Sequence, residues 1–188
     1  FQTFSNVTSS KEAIGKFVDI YFVIEAHGRL LNVLQEIATK LGGKVLCVEN
    51  KHRALYHSSA VLSCGYIVTL LYSAVQLWKE IGFSEEEALD AIGTMAYSTV
   101  QSVRRYGLVS TVTGPVVRGD TTTLNHQLRA LSINDTGFLK LFIALTEASL
   151  PMLKGFLSED KQREILKLVM RYGDAGKSDN LIGGCSVV

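Results

Sequence analysis

Side chains capable of acid–base or anion-binding chemistry are concentrated between Lys51 and Ser59, where the chain reads Lys-His-Arg-Ala-Leu-Tyr-His-Ser-Ser. A histidine such as His57 can exchange a proton near neutral pH, which suits a general acid or base. Lys51 or Arg53 can hold an anionic group. The same residues are also typical of an ordinary helix start with a buried, hydrogen-bonded histidine and solvated basic side chains. Residue types alone leave both interpretations open.

A second stretch combines backbone punctuation with a basic side chain, and it reads Thr-Gly-Pro-Val-Val-Arg-Gly-Asp from Thr113 to Asp120. A Gly–Pro turn fixes the backbone, and a following Asp can cap the next helix. Arg118 is therefore predicted to be held rigidly, either over a bound substrate or against a neighbouring carboxylate in a tight connector.

Other chemical motifs are missing from the sequence. It contains no G-x-G-x-x-G turn, no phosphate-binding P-loop, no H-E-x-x-H and no G-x-S-x-G. The four histidines share no spacing typical of metal ligands, so no metal site is predicted.

Composition narrows the class of protein. The chain has 188 residues, 19 basic and 18 acidic side chains and a net charge of +1, so it has no basic surplus for nucleic acid or an anionic membrane surface. Three cysteines at unrelated spacings argue against a disulfide framework and favour a reducing compartment. The first residues do not resemble a signal peptide. We therefore expect a cytoplasmic protein.

The elements that position these residues fall into two regions. Residues 20–24 and 44–48 have the apolar, β-branched character of buried strands, and a helical pattern between them ends at Gly42-Gly43. Strand, helix and strand form a βαβ unit, which is expected to pair its strands in parallel. Because one such unit cannot bury both faces of its sheet, residues 1–50 are predicted to be the C-terminal end of a larger α/β domain.

Residues 51–175 are predicted to form an all-α domain, followed by an irregular tail at 176–188. The stretch 54–78 contains no Asp, Glu, Lys or Arg, so a helix over about 51–81 is apolar nearly all round. Such a helix belongs at the centre of a helical domain or in a membrane. We expect it to be the most buried element of this region. Later helices are predicted to be capped by Ser84 with Glu87, and by Asp120, Asp135 and Ser158.

Several stretches resemble a bacterial and archaeal family that joins a Rossmann-like domain to a helical C-terminal domain of unknown function. They are Tyr-His-Ser-Ser-Ala-Val at 56–61, the stretch 113–120, Phe-Gln-Thr-Phe-Ser at 1–5, Phe-Val-Ile-Glu at 22–25 and Leu-Gly-Gly at 41–43. Members are assigned NADP-dependent oxidoreductase activity by inference. The resemblance implies a helical domain like the C-terminal domain of 6-phosphogluconate dehydrogenase. It also implies kinship with pyrroline-5-carboxylate reductase and ketopantoate reductase, whose helical domains form homodimers and complete the substrate site.

The resemblance also implies roles for single residues in the reduction of a small carbonyl or imine substrate. His57 would transfer a proton or hydrogen-bond the substrate, and Lys51 would hold an anionic substrate group. Ser58 and Arg118 would supply supporting contacts. NADP would be bound mainly by residues upstream of this chain. The family tends to have Asn where this chain has Gly65. The alternative is a helical dimer module that binds a metabolite or a protein partner without catalysis.

Two spatial expectations follow from these patterns. The small residues Gly65, Thr69 and Ser73 lie along one side of the apolar helix and favour a two-fold dimer that buries more than roughly 2,000 Å². His57 is expected to face a cleft between the βαβ unit and the helices, near Arg118. Gly65 can alternatively mark a close contact between two helices of one chain.

Overall fold

A computed structural model of the chain describes residues 9–134 and 136–178. The protein is mostly helical with one small parallel sheet. It contains two compact units, residues 1–70 and 71–188. The domain limits proposed from the sequence, near residues 50 and 175, stay a prediction.

The first unit contains the predicted βαβ arrangement, preceded by a short helix that the sequence patterns did not indicate. Its elements are α1 (Ser10–Gly15), β1 (Tyr21–Ile24), α2 (Gly28–Lys40) and β2 (Lys44–Cys47). The two strands are parallel, with Tyr21 opposite Lys44 and Ile24 opposite Cys47. The βαβ prediction is confirmed.

The core of the first unit lies between α2 and one face of β1. Phe22, Ile24 and Ala38 are buried, whereas Tyr21 is 56% exposed. The prediction of a buried strand therefore holds for only one face of β1 within the described residues, because α2 covers that face and Tyr21 points away from it. Gly43 allows the start of β2 to approach β1, since a Cβ there would lie 2.5 Å from Cδ2 of Phe22.

One continuous helical segment, here called the long helix, runs from Asn50 to Glu80. It begins as a 3₁₀ turn at Asn50–His52 and continues through α3 (Arg53–Ala60), a π-helical segment at Val61–Gly65 and α4 (Tyr66–Glu80). This extent agrees with the helix predicted over about 51–81. The π-helical segment was not predicted.

The long helix is not the buried element that the sequence led us to expect. Only 11% of its most apolar 18-residue window is buried. Leu55, Leu62 and Val68 are 72%, 62% and 66% exposed. An apolar helix needs apolar surroundings, but its sequence does not say whether the same chain supplies them. Here the described residues leave residues 53–70 largely exposed. By length and composition this helix could also cross a membrane.

The second unit is built from helices. They are α5 (Glu85–Tyr106), α6 (Leu108–Thr111), α7 (Pro115–Arg118), α8 (Thr121–Asn134), α9 (Thr136–Ser149), a 3₁₀ turn at Leu150–Leu153 and α10 (Glu159–Ser178). Among the described residues, no strand follows β2, as predicted. Helix α10 extends to Ser178, past the predicted start of the tail at 176, and residues 179–188 lie outside the described part.

Two clusters form the core of the second unit. Helices α8, α9 and α10 bury Leu124, Leu128, Ile165 and Val169 almost completely. A smaller cluster joins Val75 near the end of the long helix to the first turns of α5. The long helix is therefore anchored at its C-terminal end, while its N-terminal two thirds present apolar side chains to solvent.

Helix starts in the second unit carry the caps expected from the sequence. Ser84 and Glu87 form a capping box at α5, with the Glu87 N–H donating to Ser84 Oγ at 3.2 Å and the Ser84 N–H donating to Glu87 Oε2 at 2.9 Å. Asp120 accepts from the N–H and the hydroxyl of Thr123, and Ser158 caps α10. The predicted cap Asp135 lies outside the described residues.

Candidate functional site

The start of the long helix is tied to the end of strand β1 by an ion pair. Arg53 Nε donates to Glu25 Oε2 at 2.8 Å. Glu25 directly follows β1, and its side chain is 21% exposed, whereas that of Arg53 is 68% exposed. The pair places the first turn of α3 beside the carboxyl end of a parallel strand. In α/β proteins this edge of the sheet is where ligands usually bind.

His57 lies on the same face of α3 as Arg53, because residues four apart on a helix are neighbours. His57 and Ser58 are both exposed. The alternative of a buried, hydrogen-bonded histidine is therefore wrong for the described residues. An exposed imidazole one turn from the Glu25–Arg53 pair is accessible to a ligand at the sheet edge.

Lys51 forms an exposed ion pair. Its Nζ lies 2.7 Å from Oε2 of Glu49, and both side chains are about two-thirds exposed. Pairs of this kind contribute little net free energy, on the order of 0 to 1 kcal/mol. An anionic group of a ligand can therefore compete with Glu49 for the ammonium group, so the predicted role of Lys51 is compatible with its position.

Arg118 is the last residue of α7, in the second unit, and its side chain is exposed. The backbone on either side is fixed by Gly114 and Gly119, with φ of +103° and +65°, a region that favours glycine. The Gly–Pro turn and the cap at Asp120 are present as predicted, whereas the rigid placement of the Arg118 side chain stays a prediction. His57 belongs to the first unit and Arg118 to the second, and their proximity stays a prediction.

Hydrogen bonds and a neighbouring charge outweigh burial in setting the pKa of Asp120, two residues after Arg118. The backbone N–H and the hydroxyl of Thr123 lower the pKa of the Asp120 carboxyl, and the Arg118 guanidinium lowers it further. Asp120 therefore stays ionised over the neutral range and caps α8 as a carboxylate.

Two features of the site were missed by sequence reasoning. The sequence analysis used Glu25 only as part of a stretch that resembles the family. Its position directly after a strand could have identified it as a candidate site residue. The π-helical segment Val61–Gly65 follows His57 within one turn, and such segments are frequent at functional sites. Within the described residues of one chain Gly65 makes no close contact between helices, because a Cβ there would meet only Val61 Cγ1 at 3.9 Å. The space at this position would admit the family's Asn.

The described residues alone form neither a metal site nor a dinucleotide-binding turn. Among them, no group of three or more His, Cys, Asp and Glu side chains converges on one point. The turn between β1 and α2 reads Glu25-Ala26-His27-Gly28, with one glycine and an acidic side chain. A pyrophosphate needs a glycine-rich turn of free N–H groups, which this turn does not supply.

Comparisons with known proteins agree on the fold. Protein TM1727 from Thermotoga maritima has a similar crystal structure, with a TM-score of 0.65 and 24% identity over 85% of this chain and 58% of that one. The crystal structure of the putative NADP oxidoreductase BF3122 from Bacteroides fragilis gives a TM-score of 0.58 and 22% identity over 70% of this chain and 49% of that one. This chain thus spans about half the length of both proteins.

Sequence comparison adds the family. No protein of curated function matches the chain. The sequence profile of DUF2520, a domain of unknown function, matches residues 20–149. Because this match covers more than half of the chain and includes both stretches singled out from the sequence, the chain belongs to the DUF2520 family.

Proposed function

We propose that this chain is the C-terminal portion of an NADP-dependent oxidoreductase that reduces a small carbonyl or imine substrate, as pyrroline-5-carboxylate reductase and ketopantoate reductase do. The observation that carries the proposal is the Arg53–Glu25 contact of 2.8 Å, which sets the face bearing His57 at the carboxyl end of a parallel strand. The name of the similar protein from Bacteroides fragilis, a putative NADP oxidoreductase, supports the reaction class.

Each proposed residue has one task. His57 donates a proton to the substrate atom that becomes a hydroxyl or amine, and Lys51 leaves Glu49 to bind an anionic substrate group. Ser58 and Arg118 donate hydrogen bonds to the substrate. When bound, the cofactor supplies a hydride. Because the β1–α2 turn cannot hold a pyrophosphate, NADP is held mainly by a part of the whole protein that this chain does not contain.

The test is cofactor binding and turnover in the whole protein, with the variant His57→Ala. Calorimetry with NADPH and NADH should show binding, with NADPH preferred. A positioned general acid is worth roughly 10²- to 10⁴-fold in rate, so His57→Ala should lower kcat by that factor while NADPH affinity stays unchanged. His126→Ala, which changes another exposed histidine on α8, is the matched control and should leave both quantities unaltered.

Two results would count against the proposal. Unchanged turnover in His57→Ala would remove the proton-transfer role. A whole protein that binds neither nicotinamide cofactor would favour the second candidate, a non-catalytic helical module for a metabolite or a protein. The exposed long helix is the observation that favours this second candidate, since so large an apolar surface fits a binding role.

We also propose a cytoplasmic homodimer in which a second copy covers the long helix. Two-fold symmetry brings identical residues together, and the stretch 54–78 carries no charge, so two copies meet there without like-charge repulsion. Light scattering at micromolar concentration should give twice the monomer mass. Leu62→Glu should give a monomer, whereas Leu108→Glu, at a similarly exposed leucine outside the long helix, should not. A wild-type monomer, or a protein that floats with lipid vesicles, would overturn this proposal.

A further inference from the structure

The second unit contains a cavity of about 280 Å³ whose wall includes the conspicuous loop at 112–117. Helices α8 and α9 and the 3₁₀ turn at Leu150–Leu153 complete the wall. Most of the lining is apolar and includes Val112, Val116 and Phe142. Gly114 has a positive φ of +103°, and Pro115 begins the short helix α7 that follows it.

Two hydroxyl groups of the lining, those of Thr146 and Ser149, offer only acceptors to a ligand. The hydroxyl of Thr146, a residue only 6% exposed, donates to the Phe142 carbonyl at 2.8 Å. The hydroxyl of Ser149 donates to the Thr146 carbonyl at 2.7 Å. Each hydroxyl has one proton, and that proton is already used, so only oxygen lone pairs remain for a ligand.

Gln127 on α8 adds an acceptor without a partner. Its Oε1 is buried and makes no hydrogen bond within the described residues, although the side chain lines the cavity. A buried, unpaired amide oxygen is costly, and each such case in a folded protein calls for an explanation. The terminal torsion of glutamine is soft, so the amide can turn and present Oε1 to a molecule in the cavity.

We propose that this cavity binds a small, neutral molecule with an apolar body and a hydroxyl or N–H group that donates a hydrogen bond to Gln127 Oε1. Neutrality follows from the lining, since none of the described residues in it is charged. The donor follows from the unpaired acceptor Oε1 of Gln127 and from the hydroxyl protons of Thr146 and Ser149, which are already donated. The site lies within one unit and does not depend on the proposed oxidoreductase activity.

The experiment uses the 188-residue chain and two matched probes, cyclohexanol, which can donate a hydrogen bond, and cyclohexanone, which cannot. Binding is followed through the methyl NMR signals of Val116 and Val117. Cyclohexanol should shift these signals saturably and bind about fivefold more tightly than cyclohexanone, as one net hydrogen bond allows. In Gln127→Leu this preference should vanish, and the variant should melt at a higher temperature because the unpaired oxygen is gone. Gln101→Leu, the same change at an exposed glutamine on α5, should keep the preference.

Three outcomes would overturn the inference. Saturable shifts with neither probe would mean that water alone fills the cavity. An equal preference in the wild type and in Gln127→Leu would show that Gln127 is not the acceptor. A preference for cyclohexanone would mean that the amide presents its NH₂ group instead.

Discussion

The ion pair between Glu25 and Arg53 should couple strand β1 to the long helix by a measurable free energy. At a separation of 2.8 Å, two unit charges in water attract by about 1.5 kcal/mol. Arg53 is 68% exposed, so its desolvation is small, and ordering the two side chains consumes part of the gain. We therefore expect a coupling free energy of about 1 kcal/mol at low salt.

A double-mutant cycle measures this coupling directly. Urea unfolding followed by far-UV circular dichroism gives the free energy of unfolding for the wild type, Glu25→Gln, Arg53→Gln and the double variant. The coupling should fall towards zero in 1 M NaCl, where the Debye length is about 3 Å. The control cycle is Glu36 with Lys40, an exposed pair at 2.7 Å within α2, for which about 0.3 kcal/mol is expected.

Hydrogen exchange provides a readout that a merely local contact would not change. Removing Glu25 should speed amide exchange at residues 53–57, because the helix start is released from the end of the strand. A coupling indistinguishable from that of the Glu36–Lys40 pair, or one unaffected by salt, would refute the idea that this contact positions the face bearing His57.

Two further predictions concern stability. Gly43→Ala should destabilise the chain by about 1–3 kcal/mol, because the added Cβ would lie 2.5 Å from Cδ2 of Phe22. The same change at Gly93, where a Cβ meets nothing within 4 Å, should stabilise the chain by about 0.5–1 kcal/mol. Urea midpoints that move in the same direction would contradict this pair. Hydrogen bonds from Thr123 lower the pKa of Asp120 from its ordinary value of 3.8. The Asp120 carboxylate therefore stabilises the fold above pH 3.8, and this stabilisation is lost as the pH falls through the lower pKa of the folded state. Asp120→Asn keeps a capping side chain, and its stability should therefore fall less between pH 7 and pH 3 than that of the wild type.

Features governed by neighbours in sequence were predictable. The βαβ unit follows from two apolar runs and a glycine pair, and the capping box of Ser84 and Glu87 follows from residues three apart. The extent of the long helix was predictable for the same reason, since helical periodicity and the absence of breakers are local properties.

Features governed by distant residues or by absent surroundings were not predictable. The Glu25–Arg53 pair joins side chains 28 positions apart, and no local rule connects them. The exposure of Leu55 and Leu62 depends on what covers the long helix, which its own sequence does not specify. For the same reason, the sequence could not decide whether His57 is accessible or buried.

The π-helical segment Val61–Gly65 has a consequence for changes in chain length. A π turn contains one residue more than an α turn, so every side chain after it is rotated by about 100° from its place on an uninterrupted α-helix. Loss of a single residue here would convert the segment to α-helix and rotate the side chains before it relative to those after it. Exposed segments usually tolerate insertions and deletions. This one should not, because its length sets the direction in which His57 points relative to the side chains that follow the segment.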